Sequence, residues 1–178
     1  MATGLWSRWR LAIGAAVAWI VSGAVAQAQA PGGNYAEITQ SGEELSSEVS
    51  QEVGDNSAEI SQTGERLLAR VEQSGGAKSL IQQSGERNTV RVRQGEHGGA
   101  NAFLSIVQSG ERNDAEVRQE GADNAAMLTQ MGERNDLRVS QFGAQNSVTY
   151  DQIGEELSAT ITQYGGASIS IVQTGAGQ

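Results

Sequence analysis

Residues 113–134 read NDAEVRQEGAD followed by NAAMLTQMGER, two similar elevens laid end to end. In the first, Asn113, Ala115, Val117 and Gln119 alternate with polar residues. In the second, Asn124, Ala126, Leu128 and Gln130 do the same. Strict alternation is the period of a half-buried strand, and each seven-residue stretch closes on a segment with a glycine near its centre. The unit therefore reads strand, turn, strand, turn.

Working outward, the unit accounts for nearly everything after residue 33. A glutamine closes each alternating stretch at Gln40, Gln51, Gln62, Gln73, Gln83, Gln94, Gln108, Gln119, Gln130, Gln141, Gln152, Gln163 and Gln173. The spacing is 11, with two of 10 and one of 14, and such regularity is the mark of a repeat architecture. The 14 reflects an insertion at residues 95–100, where Gly-Glu-His-Gly-Gly-Ala replaces a short turn. Turns alternate between a Gly-Glu type, at Gly42, Gly64, Gly85, Gly110, Gly132 and Gly154, and a more variable type that includes Gly121, Gly143 and Gly165. The residue two before each glutamine alternates as well, Val or Ile in one strand type and Ile, Leu or Tyr in the other. The true period is thus 22, and each strand stacks on its counterpart one coil away.

Charge identifies the inside. Counting back zero, two, four and six residues from each glutamine marks fifty-two positions, and none is Asp, Glu, Lys or Arg. An unpaired buried charge is costly, so these positions form the buried face. Glu37, Glu48, Glu59, Arg70, Glu72, Arg91, Arg93, Glu116, Arg118 and Arg138 fall on the alternate, outward positions. Buried amides need partners. Identical amides about 4.8 Å apart can donate to the next coil and accept from the previous one. Amide ladders are accordingly expected along both glutamine columns, and along an incomplete column of Asn88, Asn113, Asn124, Asn135 and Asn146. The turn glycines supply backbone angles closed to other residues. The expected fold is an all-β solenoid, two strands per 22-residue coil and about six and a half coils, occupying residues 34–175.

Residues 1–28 have a different character. Arg8 and Arg10 precede an apolar run from Leu11 to Ala26, and Ala26-Gln27-Ala28 offers a small-x-small cleavage signal. The run falls short of the ~20 residues that span a bilayer. The expectation is a secretory signal peptide cleaved after residue 26 or 28, outside the fold, leaving residues 29–33 as a short linker and no membrane span. Net charge is −9, or −11 without Arg8 and Arg10. An acidic chain argues against nucleic acid as a partner. With no Cys there is no disulfide framework or thiolate metal site. His97 is the single histidine and sits in the insertion without a nucleophile to serve. No enzyme, cofactor or metal is expected.

The first strand begins at Asn34 and the last ends at Gln173, with no charged residue after Glu156 and no proline after Pro31. Nothing in this pattern blocks an edge strand. Self-complementary ends meeting head to tail propagate as a filament, here a cross-β fibre.

The motif Gln-x-Gly-x-x-Asn-x-Ala-x-Val/Ile-x-Gln, seen from Gln108 through Gly110, Asn113, Ala115 and Val117 to Gln119, resembles the curlin repeat. It recurs from Gln119 to Gln130, and the resemblance covers roughly residues 34–173. It implies a secreted subunit, major or minor (nucleating), of curli: extracellular amyloid fibres, a kind of pilus or fimbrium, for adhesion and biofilm formation. It also implies self-assembly as a homopolymer, a second curlin subunit as partner, and export through an outer-membrane pore. The alternative from the residues alone is a soluble monomeric β-solenoid acting as an adhesin or ligand-binding surface.

Overall fold

The computed structural model describes residues 10–12, 15–21, 25–29, 33–96 and 101–175. Three strands come first, β1 (Arg10–Ala12), β2 (Ala15–Val21) and β3 (Val25–Gln29). Thirteen more follow: β4 (Tyr35–Glu43), β5 (Ser46–Gln51), β6 (Ser57–Glu65), β7 (Leu68–Gln73), β8 (Lys78–Glu86), β9 (Thr89–Glu96), β10 (Phe103–Glu111), β11 (Asp114–Glu120), β12 (Ala125–Glu133), β13 (Asp136–Phe142), β14 (Ser147–Glu155), β15 (Ser158–Tyr164) and β16 (Ser168–Thr174).

Strands β4 to β16 wind a parallel β-solenoid. Even-numbered strands form one sheet and odd-numbered strands the other, each pairing in parallel with the strand two before and two after it. Register follows the 22-residue period: Val117 lies beside Val139, Gln119 beside Gln141, and Gly110 beside Gly132. Register holds across the place where glutamines are 14 apart: Ile81 meets Ile106 and Gln94 meets Gln119. One register shift, between Gln119 and Glu120 opposite Gln94 and Glu96, absorbs Gly95. Residues 97–100 of the insertion, His97 among them, lie outside the described residues.

The inward positions behave as the charge count requires. All fifty-two are buried except Leu157, Ala159, Ala167, Ile169, Ile171 and Gln173, which belong to the last coil and have no coil beyond them among the described residues. The core is a set of columns one side chain wide. Ile38, Ile60, Ile81, Ile106, Leu128 and Tyr150 run up one sheet, and Val49, Val71, Val92, Val117, Val139 and Ile161 up the other. Each buried Val, Ile or Leu contributes roughly 1.5–3 kcal/mol relative to exposure. The sheets can close over so thin a core because every coil repeats the same shapes.

The stretch before residue 30 is placed differently from the expectation that it lies outside the fold. β2 pairs antiparallel with β5, β3 antiparallel with β4, and β1 with β2. The physical reason is the open edge. β4 and β5 each have one side without a solenoid neighbour, and an extended segment within reach satisfies those N–H and C=O groups. The antiparallel direction means that these strands cap the solenoid and do not continue it.

Candidate functional site: amide ladders, turns and end rungs

The glutamine columns are continuous chains of side-chain hydrogen bonds. In the even-strand sheet, Gln40 Nε2 donates to Gln62 Oε1 at 2.5 Å. The series continues Gln62 to Gln83 (2.7 Å), Gln83 to Gln108 (2.9 Å), Gln108 to Gln130 (2.7 Å), Gln130 to Gln152 (2.9 Å) and Gln152 to Gln173 (3.2 Å). In the odd-strand sheet, Gln51 donates to Gln73 (3.1 Å), Gln73 to Gln94 (3.0 Å), Gln94 to Gln119, Gln119 to Gln141 and Gln141 to Gln163 (each 2.7 Å). The second N–H of most rungs goes to a backbone carbonyl across the core, as Gln119 Nε2 to Phe103 O at 3.1 Å. Every amide points the same way, so each ladder has a polarity. Its acceptor end is the first coil, where the buried Gln40 Oε1 and Gln51 Oε1 have no hydrogen-bond partner. Its donor end is the last coil, at Gln163 and Gln173.

The asparagines are built in differently from the expected amide-to-amide stack. Asn113 Nδ2 donates to Ser109 O in its own turn (3.2 Å) and to Gly132 O in the next (3.0 Å), while its Oδ1 accepts from the backbone N–H of Asn135 (3.1 Å). Asn88 and Asn135 repeat the pattern, and Asn124 Nδ2 likewise bonds Glu120 O and Gly143 O. Only Asn56 to Asn34 and Asn146 to Asn124 make amide-to-amide bonds among the described residues. The reason is reach. Asparagine is one methylene shorter than glutamine and stands where the turn enters the strand, so exposed turn carbonyls are its nearest acceptors. It braces turns from inside the core.

Turn geometry rests on two residue types. Gly110 has φ +111°, and a Cβ on it would stand 2.0 Å from the carbonyl oxygen of Gly132. The same collision recurs along Gly42, Gly64, Gly85 and Gly132, and between Gly121 and Gly143, so turns nest at a distance that only glycine permits. Gly165, in the last coil, meets nothing within 4 Å. A second column was not read from the sequence. Glu44, Arg66, Arg87, Asn101, Arg112, Asp123, Arg134, Gln145 and Glu156 all adopt φ between 53° and 61°. This left-handed conformation costs a non-glycine residue about 1 kcal/mol. The stack compensates: the N–H of Arg112 donates to Glu86 O at 2.9 Å, and that of Arg134 to Glu111 O at 2.9 Å. The signal was their fixed place, one residue before the first inward residue of a strand, but their varied chemistry hides it.

The two outer faces differ. The odd-strand sheet carries Arg70, Arg91, Arg93, Arg118 and Arg138 in ion pairs, chiefly between neighbouring coils: Arg70 to Glu48 at 2.7 Å, Arg93 to Glu72 at 3.0 Å, Arg91 to Asp114 at 2.9 Å. Arg118 pairs with Glu120, and Arg138 with Asp136 at 2.9 Å. Such exposed pairs are worth little stability each. The even-strand sheet has no arginine on its strands and exposes Phe103, Met127, Met131 and Ile153 beside Glu37, Glu59, Lys78 and Asp151. Strand parity alone separates the two sets.

The arrangement binds backbone to backbone and amide to amide along one axis. Among the described residues no group of three His, Asp or Glu is placed to hold a metal ion. No curated protein and no solved structure matches the chain. Residues 33–64, 99–132 and 132–165, more than half of the chain, match the curlin associated repeat. Those segments are coils of the solenoid described above, with the same inward Gln, Ala and Ile or Val columns and the same turn glycines, and the chain belongs to the curlin associated repeat family.

Proposed function

We propose that this chain is a structural subunit that adds head to tail into an extracellular, curli-type amyloid fibre on a bacterial surface. The observation that carries the reading is the pair of buried, unpartnered oxygens at Gln40 and Gln51, standing at the acceptor end of two ladders whose donor end is the last coil. In the full chain β2 and β3 pair with the strands that carry these oxygens, and removing the leader opens both oxygens to donors of a neighbouring copy. A second copy stacked on the first supplies the donors, and its strands continue both sheets. Solenoid strands perpendicular to the stacking axis make the product cross-β by construction. Family membership supports export through an outer-membrane pore, a second curlin subunit as partner, and roles in adhesion and biofilm matrix. It fits either a major or a nucleating subunit.

The chain from Gln29 onward is the assembling species, because loss of residues 1–28 takes β2 and β3 off the edges of β5 and β4 that a second copy must meet. Incubated at neutral pH, it is expected to form fibres that bind thioflavin and diffract at ~4.7 Å and ~10 Å. A chain that remains monomeric at high concentration for days refutes the proposal. That result favours a soluble solenoid presenting its charged face as an adhesin.

A further inference from the structure

Among the described residues the solenoid has thirteen strands, an odd number, and this constrains how two copies join. The even-strand sheet holds seven solenoid strands, β4 to β16, and the odd-strand sheet six, β5 to β15. If a second copy sat directly above the first, its β4 would land on β16. Its β5 would then face β15 across two rungs, about 10 Å, with one strand missing and the facing N–H and C=O groups unpaired. Turning the second copy by half a revolution about the solenoid axis removes the gap. Strand direction is preserved, because the two eleven-residue halves of a coil are themselves related by such a turn. The incoming β4 then sits on β15 and the incoming β5 on β16.

Where β4 meets β15 the inward side chains match, while where β5 meets β16 Val49 falls on Ile171 and Ser47 on Ile169. Ala36 of the incoming copy falls on Ala159, Ile38 on Ile161, and Gln40 on Gln163. The Ile161 and Gln163 surfaces are already buried, whereas Ile171 is 38% exposed and lacks an opposing strand. Either arrangement supplies that strand, and only the half-turn also leaves no gap above β15. It also carries each glutamine ladder from one sheet type of the first copy into the other sheet type of the second: Gln173 donates to the open Gln51 oxygen, and Gln163, whose Nε2 bonds Ser147 O and Ala167 O in the single copy, exchanges the Ala167 bond for the open Gln40 oxygen.

Resting on the fibre reading above, we infer that successive subunits alternate by a half-turn, each joining its even-strand sheet to its neighbour's odd-strand sheet. The two outer faces then alternate along each side of the fibre. The Arg-rich face of one copy is followed by the Phe103 and Met127 face of the next, so neither side of the fibre is uniformly charged or uniformly apolar.

The chain has no cysteine, which makes a disulfide test clean. Thr39, Thr162 and Val172 all point outward and are exposed. Each stands one residue before its glutamine, on β4, β15 and β16 respectively. Adjacent rungs lie within disulfide reach. Fibres of the chain from Gln29 onward carrying Thr39→Cys and Thr162→Cys are expected to oxidise into covalent multimers, while Thr39→Cys with Val172→Cys stays monomeric on a non-reducing gel. Helical reconstruction of fibres without substitutions should give a rise of ~31 Å per subunit with a rotation near a half-turn. Cross-linking through Val172, through both positions or through neither overturns the alternation while leaving the fibre intact, as does a reconstruction with every subunit in one orientation. Absence of fibres refutes the fibre reading and this inference together.

Discussion

Gln119→Ala tests the ladders at their centre. Gln119 Nε2 donates to Gln141 Oε1 at 2.7 Å and to Phe103 O at 3.1 Å, and Gln119 Oε1 accepts from Gln94 at 2.7 Å. Truncation leaves Gln141 Oε1 without this donor and deprives Phe103 O of its side-chain bond. Gln94 loses one of its two acceptors and keeps Lys78 O at 3.3 Å. All three glutamines are fully buried, so water does not replace the lost partners. At 1–3 kcal/mol for each orphaned group the cost is about 4 kcal/mol. The assay is the concentration of soluble chain left in equilibrium with fibres, in guanidinium chloride sufficient to unfold the soluble chain. At 1.4 kcal/mol per tenfold, that concentration should rise about a thousandfold. Gln82→Ala is the control: Gln82 is exposed on the outer face of β8, and its loss should cost at most about 0.5 kcal/mol. If the two substitutions shift the soluble concentration by similar factors, the glutamine columns contribute nothing as ladders and the reasoning fails.

Gly110→Ala should disrupt nesting of the turns, because its Cβ would meet backbone of Gly132, whereas Gly165→Ala bears only the strain of φ +54° at about 1 kcal/mol; equilibrium assembly of the two variants separates them, and equal effects would contradict close approach. Arg112→Gly relieves the left-handed strain at φ 55° and should be neutral or stabilising by up to about 1 kcal/mol, while Arg112→Val destabilises, both read from the guanidinium transition. Burial pushes the Tyr150 hydroxyl above its ordinary value. The unfolded chain therefore loses this proton first, so the stability from neutral Tyr150 is fully present below pH ~10 and declines as pH rises beyond it. Tyr150→Phe should flatten that decline between pH 9 and 11 in denaturant titrations.

Sequence alone was enough for the architecture. In a strand, parity decides which face a side chain takes, so the absence of charge from fifty-two positions already separates inside from outside. A period of 22 places like residues on like, which sets register before any coordinate is known. Glycine positions marked the turns. The residues that share a column are legible because they are identical.

Tertiary structure decided what depends on backbone atoms one coil away. Asn113 looks like Gln119 in a string of letters, but its shorter side chain meets turn carbonyls and braces the turn, while Gln119 reaches the next amide. Turn glycines looked like a matter of backbone angle, and the nearer constraint is the carbonyl of the following turn. The left-handed column at Arg112 and its counterparts carries no common side chain to announce it. The leader's pairing with β4 and β5 follows from an open edge, which is a property of a folded sheet. Above all, the direction of the ladders is invisible in composition. A glutamine has a donor and an acceptor, and only the packed stack orients them alike, leaving oxygens unpaired at Gln40 and Gln51 at one end.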